Sequence, residues 1–265
     1  NFWVYAGYNN VGGGFAISTD VIHWVLRTVG NPNGSYGYFA TNGSGEYILQ
    51  GQNSLSASTD TIHWALRTQV TTQSPYGAVY HAGNYITQAF YHTMASTDTI
   101  HWSYRTTGAY SDRFINWAVG NGYVLTSTGE FADAIVSSTD TIHWGRRTTS
   151  TRYGYYTNGL GFAGGLFHAT DGQGYGSYNI STDCIHWVLR TAPDIRWTGY
   201  DTVKYGSYRG ENVYFAPVSS SATLAYSTDT IHWGTERITL SSSGASTNMS
   251  RTLNTDGSGN WYYAN

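Results

Sequence analysis

The chain has 265 residues, a formal net charge of −3 and only 11% charged residues. Lys204 is its single lysine, so the basic surface that neutralises several phosphates is missing, which argues against nucleic acid as a partner. No run of 18 apolar residues is present, so we expect no membrane insertion, and the abundance of Gly (32) and Tyr (24) without an amphipathic helical pattern predicts an all-β chain.

A seven-residue motif, Ser-Thr-Asp-x-Ile-His-Trp, occurs six times in the chain, at 18–24, 58–64, 96–102, 138–144, 181–187 and 227–233. Successive copies start 40, 38, 42, 43 and 46 residues apart, a period that fits one four-stranded propeller blade per repeat. Only the fourth position varies, as Val21, Thr61, Thr99, Thr141, Cys184 and Thr230. We expect the serine, aspartate and tryptophan of each copy to be structural: Ser18, Asp20, Trp24, Ser58, Asp60, Trp64, Ser96, Asp98, Trp102, Ser138, Asp140, Trp144, Ser181, Asp183, Trp187, Ser227, Asp229 and Trp233.

Short alternating runs between Gly, Asn and Ser residues predict the strands. In the first repeat these are Phe2–Gly7 and Gly14–Ser18, and in the second they are 36–40, 46–51, 54–58 and 63–68. The later repeats give 76–81, 84–90, 91–96 and 101–106, then 114–119, 123–127, 133–138 and 143–148, then 153–157, 161–167 and 174–181, and finally 202–207, 212–217 and 222–227. Each repeat is thus predicted to be a four-stranded meander whose last hairpin turn is the motif.

The two ends of the chain bear on closure of the predicted ring. The first repeat lacks a first strand, and Met249–Thr255 follows the sixth motif and could supply it. We therefore predict one domain over residues 1–265, a six-bladed β-propeller with four antiparallel strands per blade, closed by pairing of the N- and C-terminal segments. Trp261–Ala264 resembles Trp3–Ala6, so either segment can fill the closing blade, or the chain is one portion of a longer array.

The motif has a physical interpretation of its own. Its Ser and Asp can accept backbone N–H groups and hold a turn, and its Trp can fill the space between adjacent blades. The six His side chains come from different blades, so we expect each to be hydrogen-bonded locally and none to share a metal ion. An Arg three residues after most of the tryptophans is expected to pair with a motif Asp or a nearby carbonyl.

Cys184 is the single cysteine, so the chain can form no internal disulfide. It stands where most repeats carry Thr, without a neighbouring base or metal-ligand spacing, so we expect a tolerated turn residue and not a reactive thiol. Few charges and abundant Tyr, Ser, Thr and Gly favour an extracellular or virion surface.

The motif resembles the Asp-box of the bacterial neuraminidase repeat (BNR-like) β-propellers, Ser-x-Asp-x-Gly-x-x-Trp, which lies at the turn between a blade's third and fourth strands. It differs by having no Gly and by a Trp that comes one residue early. A weaker resemblance, through STD-x-I-x-W-x-x-RT, is to repeat proteins of marine phage virions and implies a virion surface component.

The Asp-box family that the motif resembles includes sialidases, and these enzymes use an arginine triad, a Tyr–Glu pair and an Asp acid. Six of the 16 acidic residues here are the motif aspartates, and no carboxylate pair can be singled out among the rest. We therefore expect no enzyme, no catalytic residues, no cofactor and no metal, with a sialidase-like glycoside hydrolase as the alternative.

The class we favour from sequence is a recognition module that binds glycans. Aromatic rings that stack on sugars could come from the starts of the first strands, at Tyr76, Trp117, Tyr155, Trp197 and Tyr200. The alternative is a purely architectural virion or matrix component that docks on copies of itself or on a larger assembly, so the expected partners are a glycan or further copies of this chain.

Overall fold

The computed structural model describes residues 3–6, 14–18, 23, 25–28, 36–51, 54–67, 77–89, 92–105, 114–128, 134–148, 159–170, 176–191, 203–217, 223–237, 252–255 and 261–264. Within these ranges, no helix has the length and apolar character needed to cross a bilayer. All regular structure there is β-strand, so the all-β prediction is confirmed.

The described strands form seven antiparallel sheets, five of which have four strands in simple meander order. The first sheet contains β1 (Trp3–Ala6), β2 (Gly14–Ser18) and β3 (Val25–Thr28). The second contains β4 (Tyr36–Thr41), β5 (Tyr47–Gly51), β6 (Ser54–Ser58) and β7 (Ala65–Leu66), and the third β8 (Ala78–His81), β9 (Asn84–Ala89), β10 (His92–Ser96) and β11 (Ser103–Arg105). The fourth contains β12 (Phe114–Gly120), β13 (Tyr123–Thr128), β14 (Ala134–Ser138) and β15 (Gly145–Thr148).

The fifth sheet contains β16 (Gly159–Ala163), β17 (Leu166–Thr170), β18 (Ser177–Ser181) and β19 (Val188–Thr191). The sixth contains β20 (Lys204–Tyr208), β21 (Glu211–Pro217), β22 (Thr223–Ser227) and β23 (Gly234–Arg237), and β24 (Thr252–Thr255) pairs with β25 (Trp261–Ala264) in the seventh. The predicted four-stranded meander is therefore present in the second to sixth repeats.

The chain divides into two compact units, residues 1–117 with 138–145 and residues 118–137 with 146–265. Each unit has apolar cores between adjacent sheets. In the first unit, the core between the second and third sheets contains Ala40, Ile48, Leu55, Ala57, Ala78, Tyr85 and Met94. In the second unit, one core contains Ala118, Leu125, Ile135, Leu160, Phe167, Ala169 and Cys184, and another contains Tyr178, Ile180, Val203, Tyr214, Ala216 and Ala225.

Three of the described motif tryptophans lie between adjacent sheets. Trp64, which precedes β7, packs edge-on against Phe15 of β2, with ring centroids 5.2 Å apart. Trp102 packs against the core shared by the second and third sheets, and Trp233 packs edge-on against Tyr178 of the fifth sheet at 5.8 Å. One indole therefore completes the packing of two repeats.

The hairpin between the first two strands is a two-residue turn in four sheets. Both residues of each turn have positive φ, as the type I′ hairpin requires, at Ala82-Gly83, Asn121-Gly122, Gly164-Gly165 and Arg209-Gly210. The fifth repeat corrects our sequence prediction of strands at 153–157 and 161–167. Its hairpin is β16 and β17, because the Gly164-Gly165 pair that we placed inside a strand forms the turn. Residues 153–157 lie outside the described residues.

The end segments belong to two different sheets in the described structure. Trp3–Ala6 pairs with Gly14–Ser18, and Thr252–Thr255 pairs with Trp261–Ala264. Closure of a ring by pairing of these ends in one sheet is not seen among the described strands.

Candidate functional site

Each described motif turn is held by its Ser and Asp side chains. In the second repeat, the Ser58 hydroxyl accepts from the backbone N–H of Asp60 (3.2 Å) and of Thr61 (2.8 Å). Asp60 Oδ1 accepts from the backbone N–H of Ile62 and of His63, both at 2.8 Å. The copies beginning at Ser96, Ser138, Ser181 and Ser227 use the same Asp pattern, so one geometry is built five times. Ser18 of the first copy is buried, and Asp20 and Trp24 lie outside the described residues.

The fourth motif position adopts a left-handed backbone conformation. Its φ is 63° at Thr61, 59° at Thr99, 66° at Thr141, 60° at Cys184 and 63° at Thr230, and all five side chains are buried. The resembling family has a Gly in its box, whereas here Thr and Cys take the conformation that favours Gly. This strain was not evident from the sequence, because β-branched residues ordinarily avoid positive φ.

Cys184 therefore occupies a buried turn position. It is fully buried, and burial raises the pKa of its thiol to about 12, with Asp183 adding to the rise and Arg147 opposing it. A protonated, inaccessible thiol is a poor nucleophile.

In the second to sixth repeats, the motif His bonds the Asp of its own turn. His63 Nδ1 lies 2.7 Å from Asp60 Oδ2, and the same contact measures 2.6–2.7 Å in the other four described copies. The imidazole, then the backbone N–H groups of His63 and Ile62, hold the pKa of Asp60 well below its usual range. The His63 side chain itself is 86% exposed. Among the described residues, no three His, Cys, Asp or Glu side chains converge as a metal site would require.

We expected the Arg after the motif Trp to pair with a motif Asp or a nearby carbonyl, and Arg147 instead bonds a serine hydroxyl. Arg147 Nε donates to Ser137 Oγ at 2.8 Å. Arg27, Arg105 and Arg190 have a buried Nε without a partner, because Ile17, Ala95 and Ile180 replace that serine just before the motif. The acceptor next to this Arg is therefore set by one residue that differs between repeats.

A cleft of about 310 Å³ lies between the second and third sheets, beside their motif turns. Its walls carry a phenol, an imidazole, a guanidinium, two carboxylates and one apolar side chain, from Tyr47, His63, Arg67, Glu46, Asp98 and Ile100. The cleft thus brings hydrogen-bond donors, acceptors and an aromatic ring together in one concave place.

Two small side chains, Ala57 and Ala65, also line this cleft. They stand one residue before the motif Ser and one residue after the motif Trp. Larger residues occupy these two positions in the first and fifth repeats, as Ile17 with Val25 and Ile180 with Val188. The second repeat therefore keeps space that those two repeats fill with branched side chains.

Glu46 reaches the cleft from a turn that differs from the other first hairpins. Asn42 Oδ1 accepts the backbone N–H of Ser44 (2.8 Å) and of Glu46 (3.2 Å), and Asn42 Nδ2 donates to Glu46 Oε2 at 2.9 Å. Gly43 and Gly45 have φ of 75° and 94°, which allows the longer turn. Glu46, Tyr47 and Arg67 were not singled out from the sequence as residues of one site. The available signal was this turn, five residues long where its equivalents have two.

Only one of the five aromatic residues proposed from sequence is among the described residues. Tyr76, Tyr155, Trp197 and Tyr200 lie outside the described residues. Trp117 is half-buried and packs edge-on against Trp144, with centroids 6.1 Å apart. It also lies so close to Gly77 that a Cβ there would be 2.2 Å from the indole Cδ1. A ligand role for these five residues stays a prediction.

Comparison with known proteins bears on the fold. No protein-family model matches the sequence, and no curated protein matches it either. Virginiamycin B lyase from Staphylococcus aureus is similar in structure, with a TM-score of 0.70 at 10% identity over 91% of this chain and 90% of the lyase. A catalytically inactive variant of that lyase with quinupristin gives 0.73 at 11% identity over 92% and 82%, and YCF48 bound to the D1 peptide gives 0.62 at 13% identity over 88% and 79%.

These similar structures are β-propellers, and at such identities the likeness shows the fold alone. They correct one expectation. We expected from sequence that the chain is not an enzyme, and this is contradicted because lyases are among the proteins built on the same fold. No residue of a lyase site is carried over to this chain.

Proposed function

We propose that this chain is a recognition module that binds a saccharide in the cleft between the second and third sheets. The observation that carries the proposal is the placement of Glu46, Tyr47, His63 and Arg67 around one cavity of about 310 Å³. That volume lies at the lower end of small-molecule sites. The proposal concerns binding, whether or not a reaction follows.

The chemistry of the cleft suits a sugar because sugar hydroxyls both donate and accept hydrogen bonds. Glu46 can accept them and Arg67 can donate to them. Tyr47 offers a ring whose orientation is fixed by stacking on Phe39 at 5.7 Å, with planes inclined by 28°. An aromatic ring beside a few fixed polar groups is typical of carbohydrate sites.

The test is a screen on a glycan array followed by calorimetry with the best saccharide. Ala65→Val places in the cleft the side chain found at this position in the first and fifth repeats, so we expect affinity to fall by about tenfold or more while the fold is kept. Ser103→Val places a valine at the equivalent position of the third sheet, outside the cleft, and should leave binding unchanged. Absence of binding to every saccharide, or equal affinity in Ala65→Val, would reject the proposal.

Assembly with copies of itself is the second candidate, and the surface of the motif turns favours it. The isoleucines at these turns are 46–53% exposed, at Ile62, Ile100, Ile142, Ile185 and Ile231. Exposed residues usually vary between repeats, yet here the buried fourth position varies and the exposed Ile and His are the same in all six copies. Apolar groups kept at a surface favour contact with a partner.

Light scattering across a concentration series tests assembly. We expect oligomers that dissociate in an Ile100→Ser, Ile142→Ser double variant. A wild-type chain that stays monomeric at all concentrations would remove this candidate.

The finer architecture also remains our proposal: six blades in a ring closed by the end segments, on an extracellular or virion surface. Six motif copies and the propeller fold of the similar structures support the blade count. Class averages from electron microscopy would count the blades directly, and a number other than six would contradict it.

A further inference from the structure

We infer that the saccharide bound in this cleft is neutral and is held through a vicinal diol, an inference that rests on the function proposed above. Three features of the described residues carry it: a carboxylate held in place on one wall, a guanidinium with unused donors on the same sheet, and a second carboxylate across the cleft whose lone pairs are already used.

Glu46 is the acceptor for the diol. Asn42 anchors the Glu46 carboxylate through Oε2 at 2.9 Å, and the same asparagine holds the backbone of the turn. The Tyr85 hydroxyl of the third sheet donates to the Glu46 backbone carbonyl at 3.1 Å. The Tyr85 hydroxyl also lies within hydrogen-bond reach of the Glu46 side chain. A carboxylate has about four lone-pair positions, so one that accepts from Asn42 and Tyr85 can still accept two sugar hydroxyls.

Arg67 is the donor for the same hydroxyls. Its backbone N–H donates to the Leu55 carbonyl at 2.8 Å, which fixes where the side chain leaves the sheet. The equivalent Arg147 uses its Nε on the Ser137 hydroxyl, but in the second repeat the residue at that position is Ala57, whose side chain has no acceptor. The Arg67 side chain lines the cleft, so its guanidinium N–H groups can donate to a ligand there.

Asp98 contributes negative charge but few free lone pairs. It accepts from the backbone N–H of Ile100 (2.9 Å), the backbone N–H of His101 (2.8 Å) and the Ser96 hydroxyl (3.1 Å). Its other oxygen lies 2.7 Å from His101 Nδ1. Asp98 therefore acts on a ligand mainly through its charge.

The charges in the cleft decide between neutral and acidic sugars. Apart from His63, whose imidazole is bonded to Asp60, the charged side chains that line the cleft are the carboxylates of Glu46 and Asp98 and the guanidinium of Arg67. A carboxylate or sulfate on the ligand would gain an ion pair with Arg67 but would also lie near the carboxylates of Glu46 and Asp98. Like charges at short range repel each other, which disfavours an acidic sugar. Paired hydroxyls satisfy Glu46 and Arg67 together and carry no charge.

The experiment compares neutral oligosaccharides with sialylated, uronic and sulfated ones on one array, then titrates the best of each class. We expect only neutral sugars to bind, and Glu46→Gln to weaken them by about tenfold because one hydroxyl acceptor becomes weaker. Glu211→Gln, at a first hairpin of the other unit, is the matched control and should bind as wild type does. Near-ultraviolet circular dichroism checks that each variant is folded.

Each remaining outcome separates the two proposals. If acidic saccharides bind the wild type and Glu46→Gln tightens them, the inference of a neutral ligand is wrong while saccharide binding stands. Failure of both classes to bind removes the proposed function itself. Neutral binding that is indifferent to Glu46→Gln would place the diol elsewhere and overturn the inference.

Discussion

Replacing Thr141 by Val is expected to stabilise the chain. Thr141 is 1% exposed, and its hydroxyl oxygen is buried without a hydrogen-bond partner. Valine has almost the same shape and is also β-branched, so the cost of holding φ at 66° is unchanged. The first repeat already carries Val21 at this position of its motif.

The expected magnitude follows from the buried hydroxyl. Burying such a group without a partner costs about 1–3 kcal/mol, and an isosteric methyl group removes this cost without creating a cavity. We expect a gain of about 1–2 kcal/mol in the free energy of unfolding. Thr230→Val is the control, since Thr230 shares the conformation but its hydroxyl is not among the buried unpaired atoms, so a smaller gain is expected.

Urea titration followed by tryptophan fluorescence measures both variants, with the shift in midpoint read at an unchanged m-value. The prediction would be refuted if Thr141→Val were less stable than wild type. It would also be refuted if Thr141→Val gained no more unfolding free energy than Thr230→Val, because the unpaired hydroxyl would then have no effect.

Three further predictions concern the second unit. Gly120→Ala should lower the free energy of unfolding by about 1–3 kcal/mol, because its Cβ would lie 2.3 Å from the Phe162 ring. In a double-mutant cycle, this loss should largely disappear when Gly120→Ala is made in a chain that already carries Phe162→Ala. Additive losses would contradict the clash. Burial lowers the pKa of His168 to about 4, below the value of 6.5 expected in the unfolded chain. The free energy of unfolding should therefore be highest above pH 6.5 and fall by about 3 kcal/mol as the pH drops toward 4. The free energy of unfolding of His168→Phe should depend less on pH, and parallel curves for the two chains would disprove the prediction. Cys184 should react with a thiol reagent only after unfolding, and rapid native labelling would oppose its buried assignment.

Strand positions could be predicted from the sequence where the residues of the connecting turn indicate its type. Asn121-Gly122 between two alternating runs indicates a type I′ hairpin, and β12 and β13 end within one residue of prediction. In the fifth repeat, aromatic residues on both sides of Gly164-Gly165 made one long strand equally plausible, and the strands were misplaced.

The cleft could not be predicted because its features are ordinary when read singly. Ala57 and Ala65 become informative only when both are seen to line one space between two sheets. The Arg67 side chain is likewise identical to its counterparts, and what separates it from Arg147 is the missing hydroxyl beside it. The strain at the fourth motif position was hidden for a related reason, since Thr gives no sign of a left-handed turn.

The placement of each motif indole has a consequence for how such a chain can change in length. Trp102 packs against the core that its repeat shares with the repeat before it, and Trp233 packs against Tyr178 of the preceding repeat. A repeat cut out alone would expose both its own indole and the surface that buries the next one. If a whole segment from one motif to the next is gained or lost, the same packing of indole against neighbouring repeat forms at the new boundary. A break inside a segment leaves two surfaces that do not fit each other.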